Sequence, residues 1–329
     1  MKNTKKIYDS VHGFIEVDEF EAELIYSPVF QRLYYIHQLG ITYLVYPGAT
    51  HKRFEHSLGV MELSSRIYKQ LTAQAQGSKF EGIVPVYGSN EHKYWKSVVR
   101  LAALCHDIGH LPFSHVAEKQ LLGAKGHELM TQKIINGQHF KNIVSKLKTY
   151  WSQFNINRDV AKDIIKVSIG QKEFLETFSE WEKVLTEIIT GDFFGADRID
   201  YLLRDAKCTG LAYGLFDYNQ LITSLRIIED NKTLKVGISE NGIESCEALL
   251  LARHFMHKRL YQYPNVKAYS FHLSRFMAEK YKDINLNIEK YISFTDNEVL
   301  ADINNASKDP SNPGHIDAKA LFSRENRFF

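Results

Sequence analysis

The sequence predicts a mainly α-helical fold with little β structure. Apolar residues recur at the three- and four-residue spacing of amphipathic helices through most of the chain. This spacing predicts helices near residues 20–38, 57–73, 96–107, 128–148, 158–168, 181–190, 197–206, 217–227 and 243–261. Between Thr233 and Ser245, strand-like residues alternate around a Glu-Asn-Gly turn signal, which predicts a small β-hairpin. A short N-terminal strand pair is also expected around Ile7 and from Phe14 to Val17.

Composition excludes several classes of protein. The chain has 329 residues, of which 44% are hydrophobic and 24% charged, with a formal net charge of +2. It can therefore bury a large core and is not a polybasic nucleic-acid binder. No run of 18 apolar residues or apolar signal core is present, so we expect a cytoplasmic protein with no membrane partner. Three dispersed cysteines are too few for a disulfide framework.

The stretch LAALCHDIGHLPFSH, residues 101–115, carries the densest polar chemistry. An apolar stripe runs up to His106, Gly109 suits a helix C-terminal cap, and Pro112 prevents continuation. His106 and Asp107 therefore leave the last turn of a core helix, and further histidines follow in the loop. A buried aspartate is costly unless it is paired or binds a cation. Simple helix capping is the alternative, although aspartate has the wrong charge for a helix C-terminus.

Two other segments offer partners for this pair. His56 stands in the opening turn of a predicted helix, close to Arg53. In GDFFGADRIDYLLRDA, residues 191–206, the spacing of about 100° per residue places five polar residues on one helix face: Asp197, Asp200, Tyr201, Arg204 and Asp205. A solvated surface helix would show the same spacing. The apolar FFGA run before it favours acidic side chains that point into a cavity.

Together, two imidazoles and two carboxylates form a candidate site for a divalent metal ion: His56, His106, Asp107 and Asp197. Such ligands suit Mn, Fe, Zn, Ni or Mg, and the sequence does not choose among them. Cys105 could be a further ligand, but a small residue that packs within a buried helix is the favoured interpretation.

Four motifs in order resemble the HD-domain phosphohydrolases: RFEHSLGV (53–60), HDIGHLPFSH (106–115), GHE (126–128) and ADRIDYLLRDA (196–206). The closest resemblance is to the branch that contains the SAM-and-HD-domain deoxynucleoside triphosphate (dNTP) triphosphohydrolases and their bacterial relatives. It extends from about Tyr8 to Tyr263 and implies an HD-domain helical fold over residues 1–292, without a SAM domain. Its metal-binding core would span about 50–206. Composition alone predicts that residues 77–95 are an irregular insertion near the entrance to the site, which could act as a lid. Residues 293–329 carry no recognised motif and have no assigned role.

The resemblance implies roles for matching residues. The candidate quartet matches the metal ligands, and Asp197 also belongs to the catalytic set. Proton transfer and the surroundings of the metal are implied for His110, His115, His127 and Glu128, with His115 as the general acid. Triphosphate contacts are implied for Arg53, Arg198 and Arg253, sugar contacts for Tyr201 and Asp205, and sugar or base contacts for Gln38, Leu39 and Gln262. Taken singly, each histidine could be an ordinary core or surface residue.

Three functions follow as hypotheses. The leading one is metal-dependent hydrolysis of a dNTP to a deoxynucleoside and inorganic triphosphate. The second is another HD phosphohydrolase: a nucleotidase, a signalling-nucleotide hydrolase or a phosphodiesterase that acts on single-stranded nucleic acid. The third is a nucleotide-sensing scaffold. Tyr201 and Asp205 favour the first, since they match sugar-reading positions, so a nucleic-acid substrate is not favoured.

The resemblance also implies homo-oligomers and a nucleotide activator. Tyr26 and Tyr34 occupy the positions of the acidic residue and the arginine that serve guanine-nucleotide activation in the vertebrate enzyme. Tyr8 replaces the usual asparagine, while Lys5 and Asp9 are retained. We therefore expect guanine-specific activation of that type to be lost or altered.

Overall fold

The computed structural model describes residues 4–323 except 172, 173, 175, 285 and 286. Within those residues the fold is mainly α-helical, as predicted, with two small antiparallel hairpins. The elements are β1 (Lys5–Asp9), β2 (Gly13–Val17), α1 (Glu19–Ile25), α2 (Pro28–Gln31), α3 (Arg53–Ala75), α4 (Asn90–Cys105), α5 (Glu118–Leu121), α6 (Gly126–Ile135), α7 (Gln138–Ser152), α8 (Val160–Ile169), α9 (Glu180–Thr190), α10 (Ala196–Thr209), α11 (Tyr218–Ser224), β3 (Leu225–Asp230), β4 (Thr233–Ile238), α12 (Ile243–Met256), α13 (Pro264–Lys280), α14 (Ile288–Ser293), α15 (Asp296–Lys308) and α16 (His315–Phe322). None of the helices among these residues has the length and apolar character needed to cross a membrane.

The main hydrophobic core forms around α3, α4, α8, α9 and α10, which pack against one another. Side-chain caps begin two of these helices: Ser89 Oγ accepts the His92 backbone N–H at α4, and the Glu55 carboxylate accepts the Lys52 N–H at α3. Because each cap satisfies an otherwise unpaired backbone donor, the start of both helices is fixed locally. The four candidate metal ligands follow directly after α4 or lie in the first turns of α3 and α10.

The N-terminal strand pair is confirmed, with Lys5 opposite Val17 and Asp9 opposite Gly13. The second hairpin is displaced from its predicted position. It comprises β3 and β4, and its turn is at Asn231 and Lys232, both with positive φ. The Glu-Asn-Gly signal at 240–242 instead forms a 3-10 turn that leads into α12. Its glycine is required by packing, since a Cβ there would lie 2.4 Å from the Ser224 Cβ.

A second core cluster joins α13, α15 and α16 to the loop after α4. Backbone groups of that loop are held by residues far along the chain. The Tyr291 hydroxyl donates to the Gly109 carbonyl at 2.5 Å, and the Asp296 carboxylate accepts the Phe113 N–H at 2.7 Å. Phe113 and Ser114 both have positive φ, which is unfavourable for residues with a Cβ. The C-terminal helices therefore stabilise a strained loop.

Residues 77–89 of the predicted insertion are largely irregular, but residues 90–95 are helical, since α4 begins at Asn90, where Ser89 caps it. This segment contacts the outside of the helical core: Lys79 Nζ lies 2.7 Å from the Glu229 carboxylate, and the Tyr87 N–H donates to Gln76.

Candidate metal centre and substrate cavity

A cavity of about 870 Å³ opens between α4, α9, α10 and the loop after α4. Twelve of the predicted site residues line it: Gln38, Leu39, Arg53, His106, Asp107, His110, His115, His127, Glu128, Asp197, Tyr201 and Asp205. His56 is fully buried behind its wall, whereas Arg198, Arg253 and Gln262 are not among the lining residues. The described residues of the predicted lid, 77–95, contribute nothing to the lining. Its walls include residues 168–171 and 190–194 instead.

The four candidate metal ligands converge at one end of the cavity. His56 Nε2 lies 3.4 Å from Asp107 Oδ2 and 3.1 Å from Asp197 Oδ1. His106 Nε2 lies 3.4 Å from the same Asp107 oxygen and 3.7 Å from the same Asp197 oxygen. Two ligands bonded to one cation at about 2.1 Å, with angles of about 90–110°, would be separated by about 3.0–3.4 Å. The observed separations are therefore close to those of ligands that share one ion.

In His56 and His106, the hydrogen bond at one ring nitrogen determines which nitrogen carries the lone pair. His56 Nδ1 lies 2.7 Å from Asp200 Oδ2, and His106 Nδ1 lies 2.7 Å from the Ala103 carbonyl oxygen. Both acceptors require N–H at Nδ1, so in the neutral, metal-binding form of each ring the lone pair lies at Nε2. Both Nε2 atoms are buried and have no hydrogen-bond partner. Orphaned buried nitrogens that point toward two carboxylates fit a cation between them.

The electrostatics at this end favour a positive ion. Burial opposes ionisation of Asp107, but Arg53, His106 and His110 outweigh it and hold the carboxyl pKa well below its ordinary value. The pKa of Asp197 is likewise lowered, since His106 and His56 outweigh the effect of its burial. The same carboxylates act on His56: burial lowers its pKa, while Asp107, Asp197 and Asp200 raise it well above the ordinary value. A field that favours a proton on His56 also favours a metal cation.

Three histidines form a second cluster beside the quartet. The rings of His110 and His127 stack with centroids 3.6 Å apart, and His115 meets His110 edge-on at 4.5 Å. Gly109 permits this arrangement, since a Cβ there would lie 2.2 Å from the His127 carbonyl oxygen. The glycine of the HDIGH motif is thus required by close packing, and its φ is not in the left-handed region expected of a helix cap.

Glu118 connects two of these histidines and was not identified from the sequence. One carboxylate oxygen lies 2.6 Å from His115 Nδ1, and the other 2.7 Å from His127 Nδ1. Burial alone would raise its pKa, but His115 and His127 lower the pKa strongly, so the group is ionised. In turn, Glu118 raises the pKa of His127 against the effect of burial, whereas burial and Arg53 lower the pKa of His110 well below its ordinary value. The three-residue spacing from His115 to Glu118 was the available sequence signal.

Arg53, predicted as a triphosphate contact, lines the cavity but already has partners. Its Nη1 contacts the Asp107 carboxylate, and its Nε donates to Ser114 Oγ at 2.8 Å. Arg53 therefore connects Asp107, a candidate metal ligand, to the strained loop after α4. Its cavity-facing position still adds positive charge beside the quartet.

Tyr201 and Asp205 lie one turn apart on α10 and both line the cavity, and Tyr201 is one turn after Asp197. Asp205 is buried, and its oxygens contact His51 Nε2 at 2.7 Å and accept the Tyr261 hydroxyl at 2.7 Å. Burial lowers the pKa of His51, but Asp205 and Cys208 raise it to about 9. Sequence reasoning missed His51 and Tyr261, which fix the carboxylate of Asp205.

The remaining predicted substrate contacts, Arg198, Arg253 and Gln262, do not line the cavity. Arg198 lies against Tyr201, with buried Nε and Nη1 atoms that have no hydrogen-bond partner. Arg253 and Arg198, after burial, lower the pKa of His257, which lines the cavity. These cations therefore lie close behind the cavity wall. Gln262 ends the π-helical turn after α12, and its N–H donates to the His257 carbonyl.

The comparisons with known proteins agree with this architecture. Residues 53–173 match the HD domain family, and residues 216–326 match the HD associated region. An uncharacterized protein of Methanocaldococcus jannaschii is 34% identical over 292 residues, which covers 89% of this chain and 53% of that protein. The deoxynucleoside triphosphate triphosphohydrolase SAMHD1 of Homo sapiens is 30% identical over 280 residues, covering 79% of this chain and 42% of that protein.

A solved structure is also similar. The crystal structure of a hypothetical protein from Aquifex aeolicus has a TM-score of 0.78 and 32% identity, and covers 98% of this chain and 76% of that chain. The chain spans about half the length of the curated relatives it matches. With the HD match, the associated region and the mainly α fold in agreement, the chain belongs to the HD-domain phosphohydrolase superfamily.

Proposed function

We propose that this chain is a metal-dependent dNTP triphosphohydrolase that releases a deoxynucleoside and inorganic triphosphate. The observation that carries the proposal is the convergence of two bare imidazole nitrogens and two ionised carboxylates at one end of a cavity. Tyr201 and Asp205 line the same cavity. The named activity of the SAMHD1 relatives supports the choice of substrate.

In this proposal, His56, His106, Asp107 and Asp197 hold one divalent ion, whose identity among Mn, Fe, Mg, Zn and Ni is open. When bound, such an ion offsets charge on phosphoryl oxygens and lowers the pKa of a coordinated water. Arg53, Arg198 and Arg253 supply further positive charge for the triphosphate. Guanidinium groups suit this task because they stay charged and can bind two phosphate oxygens at once.

The reaction requires water to attack the α-phosphorus while the bond to the 5′ oxygen breaks. The water contributes its OH to the triphosphate, and the departing 5′ oxygen takes a proton. His115 is the proposed general acid: its Nδ1 faces Glu118, and two-thirds of its side chain is exposed, which leaves Nε2 accessible to substrate. His110 contacts both His115 and Asp107, while His127 stacks on His110 and lies 3.6 Å from the Glu128 carboxylate; these three residues complete the proposed proton-transfer group.

Sugar selection is assigned to Tyr201 and Asp205. The carboxylate of Asp205 is held between His51 and the Tyr261 hydroxyl, so it has little freedom to move. The Tyr201 ring meets the Tyr261 ring edge-on at 6.0 Å. A fixed aromatic ring beside a fixed carboxylate provides a close-fitting surface on which an additional 2′-hydroxyl would be disfavoured. Gln38, Leu39 and Gln262 remain proposed neighbours of the sugar or base.

Guanine-specific activation is not part of this proposal. Tyr26 lies beneath the Lys5 ammonium, 4.6 Å from ring centroid to nitrogen, and Asp9 is buried in an ion pair with Arg204. Lys5 and Asp9 therefore already have partners within this chain. Assembly as a homo-oligomer is proposed from the resemblance alone.

The test is product analysis of the purified protein with each of the four dNTPs and with GTP, in Mn²⁺ and in Mg²⁺, singly and in mixtures. We expect deoxynucleoside and intact triphosphate from dNTPs. Asp197→Asn should abolish turnover and stoichiometric metal binding, whereas Asp283→Asn, which changes an exposed aspartate after α13, should alter neither.

The outcomes separate the hypotheses. Phosphate or diphosphate as product, or turnover only of another phosphoester, would replace the proposal with a different HD phosphohydrolase. Stoichiometric metal and nucleotide binding without turnover of any substrate would favour the nucleotide-sensing scaffold. Turnover only in nucleotide mixtures would show that an activating site exists despite Tyr26 and Tyr34.

A further inference from the structure

The carboxylate of Asp200 is the acceptor that fixes the ring of His56. It is completely buried in α10, and each of its oxygens has two partners. Oδ2 faces His56 Nδ1 at 2.7 Å and accepts from Arg204 Nε at 2.8 Å. Oδ1 faces His12 Nε2 at 2.6 Å and accepts from Arg204 Nη2 at 2.9 Å. Because an ionised carboxylate only accepts, both histidine nitrogens must donate, which directs the His56 lone pair to Nε2.

The other end of this network belongs to the N-terminal hairpin. Asp9 accepts from Arg204 Nη1 at 2.8 Å and from Nη2 at 3.2 Å. Asp9 also accepts the backbone N–H groups of Val11 and His12, both at 2.9 Å, which shapes the turn between β1 and β2. The hairpin thus contributes one side chain to each member of the Asp200–Arg204 ion pair of α10. His12 contacts Asp200, and Asp9 contacts Arg204.

Gly59 provides a second, independent observation. It lies in α3, three residues after His56, at an interior helix position where glycine is unfavourable. A Cβ at this position would lie 1.9 Å from Asp200 Oδ1 and 2.5 Å from Arg204 Nη2. The absence of a side chain at residue 59 is therefore what allows the ion pair to approach α3 and reach His56.

We infer that the N-terminal hairpin is part of the metal centre: His12 and Asp9 are positioning residues that act through Asp200 to hold His56 ready for a metal ion. This inference rests on the metal site of the proposed function. The hairpin lies outside residues 53–173, which match the HD domain, so the match to that family does not include it. Ile15 and Val17 anchor the hairpin in the core independently of His12.

The experiment measures Mn²⁺ binding to metal-free protein by calorimetry, without substrate. Loss of an outer hydrogen-bond partner of a metal-ligating histidine weakens metal affinity by about 10- to 100-fold. That range applies to Asp200, the direct partner of His56; because His12 acts through Asp200, His12→Ala should weaken Mn²⁺ binding by about 10-fold, the lower end of the range, and His12→Gln, which keeps an N–H donor, should restore most of it. His139→Ala, which removes a histidine paired with Glu289 at the surface, is the matched control and should bind as wild type.

Asp9→Asn is the second variant, in case His12→Ala does not fold. It keeps the oxygen that accepts the turn N–H groups but removes the charge that holds Arg204, and it should weaken Mn²⁺ binding while the hairpin stays folded. Wild-type affinity in folded His12→Ala and Asp9→Asn would overturn the inference and leave the proposed function intact. A wild-type protein that binds no Mn²⁺, Fe²⁺, Ni²⁺, Zn²⁺ or Mg²⁺ would overturn both. Equal weakening by His12→Ala and His12→Gln would also count against the donor role.

Discussion

Replacement of Arg204 by leucine tests the ion-pair network through the free energy of unfolding. Arg204 is 1% exposed and makes four hydrogen bonds of 2.8–3.2 Å to the buried carboxylates of Asp9 and Asp200. Removal of one partner of a buried pair leaves an uncompensated charge and costs about 3–5 kcal/mol. Arg204→Leu leaves two such carboxylates, so we expect a loss at the upper end of this range.

The assay is urea unfolding in the presence of a chelator, so that metal does not contribute. With an m-value of about 3 kcal/mol/M, a loss of 3–5 kcal/mol lowers the midpoint by about 1–1.7 M. Arg226→Leu is the matched control, because that half-buried guanidinium donates, among the described residues, to carbonyl oxygens near its own strand, and its midpoint should change little.

The effect of Arg204→Leu on the free energy of unfolding should also change with pH in a definite direction. Despite burial, Arg204, His12 and His56 hold the pKa of Asp200 well below its ordinary value. A lowered carboxyl pKa contributes stability above the unfolded-state pKa of about 3.9, and that contribution is lost as pH falls through the folded-state value. The difference between wild type and Arg204→Leu should therefore be largest near neutral pH and shrink in acid. A midpoint change under about 0.3 M at pH 7, or a difference that grows in acid, would refute the reasoning.

Three further predictions concern the site. Glu118→Gln should reduce kcat at least 10-fold, because it removes the carboxylate that faces the proposed acid His115, and should lower the pKa of His127; an NMR titration in which His127 keeps its wild-type pKa would argue against this pairing. Gly59→Ala should lower both the thermal midpoint and Mn²⁺ affinity, since its Cβ would overlap Asp200; stabilisation, as expected for an ordinary helix position, would contradict the packing argument. Metal binding should release about one proton at pH 7, because the raised pKa of His56 leaves its ring protonated without metal. Calorimetry in buffers of different ionisation enthalpy would detect this proton, and a binding enthalpy that does not depend on the buffer would contradict the assignment.

Local patterns in the sequence singled out the candidate ligands, and their grouping across three distant segments depended on the order of the motifs. His106 and Asp107 leave a strongly apolar helix, and the helical spacing in α10 places Asp197 on the same face as Asp200. The mainly α fold and the N-terminal strand pair were predicted by the same periodicities. Such patterns show which residues share a face, but they do not show which faces meet in three dimensions.

Partners that depend on long-range packing were missed for that reason. His12 lies 188 residues before Asp200, and His51 lies 154 residues before Asp205. The misplaced hairpin has a different cause. Its real turn places Lys232 at positive φ, where a long side chain is unusual, and so gives a weaker turn signal than the Glu-Asn-Gly segment nearby.

The strained loop after α4 has a consequence for the order of events during synthesis. The Tyr291 hydroxyl that holds the Gly109 carbonyl is 182 residues further along the chain. At about 5–20 residues per second, a ribosome needs about 9–36 s to make the intervening chain. During that interval the loop with its histidines lacks the C-terminal helices that support its backbone. A nascent chain therefore cannot complete the site until translation has passed α14, and a metal ion that arrives earlier meets only part of the framework around its ligands.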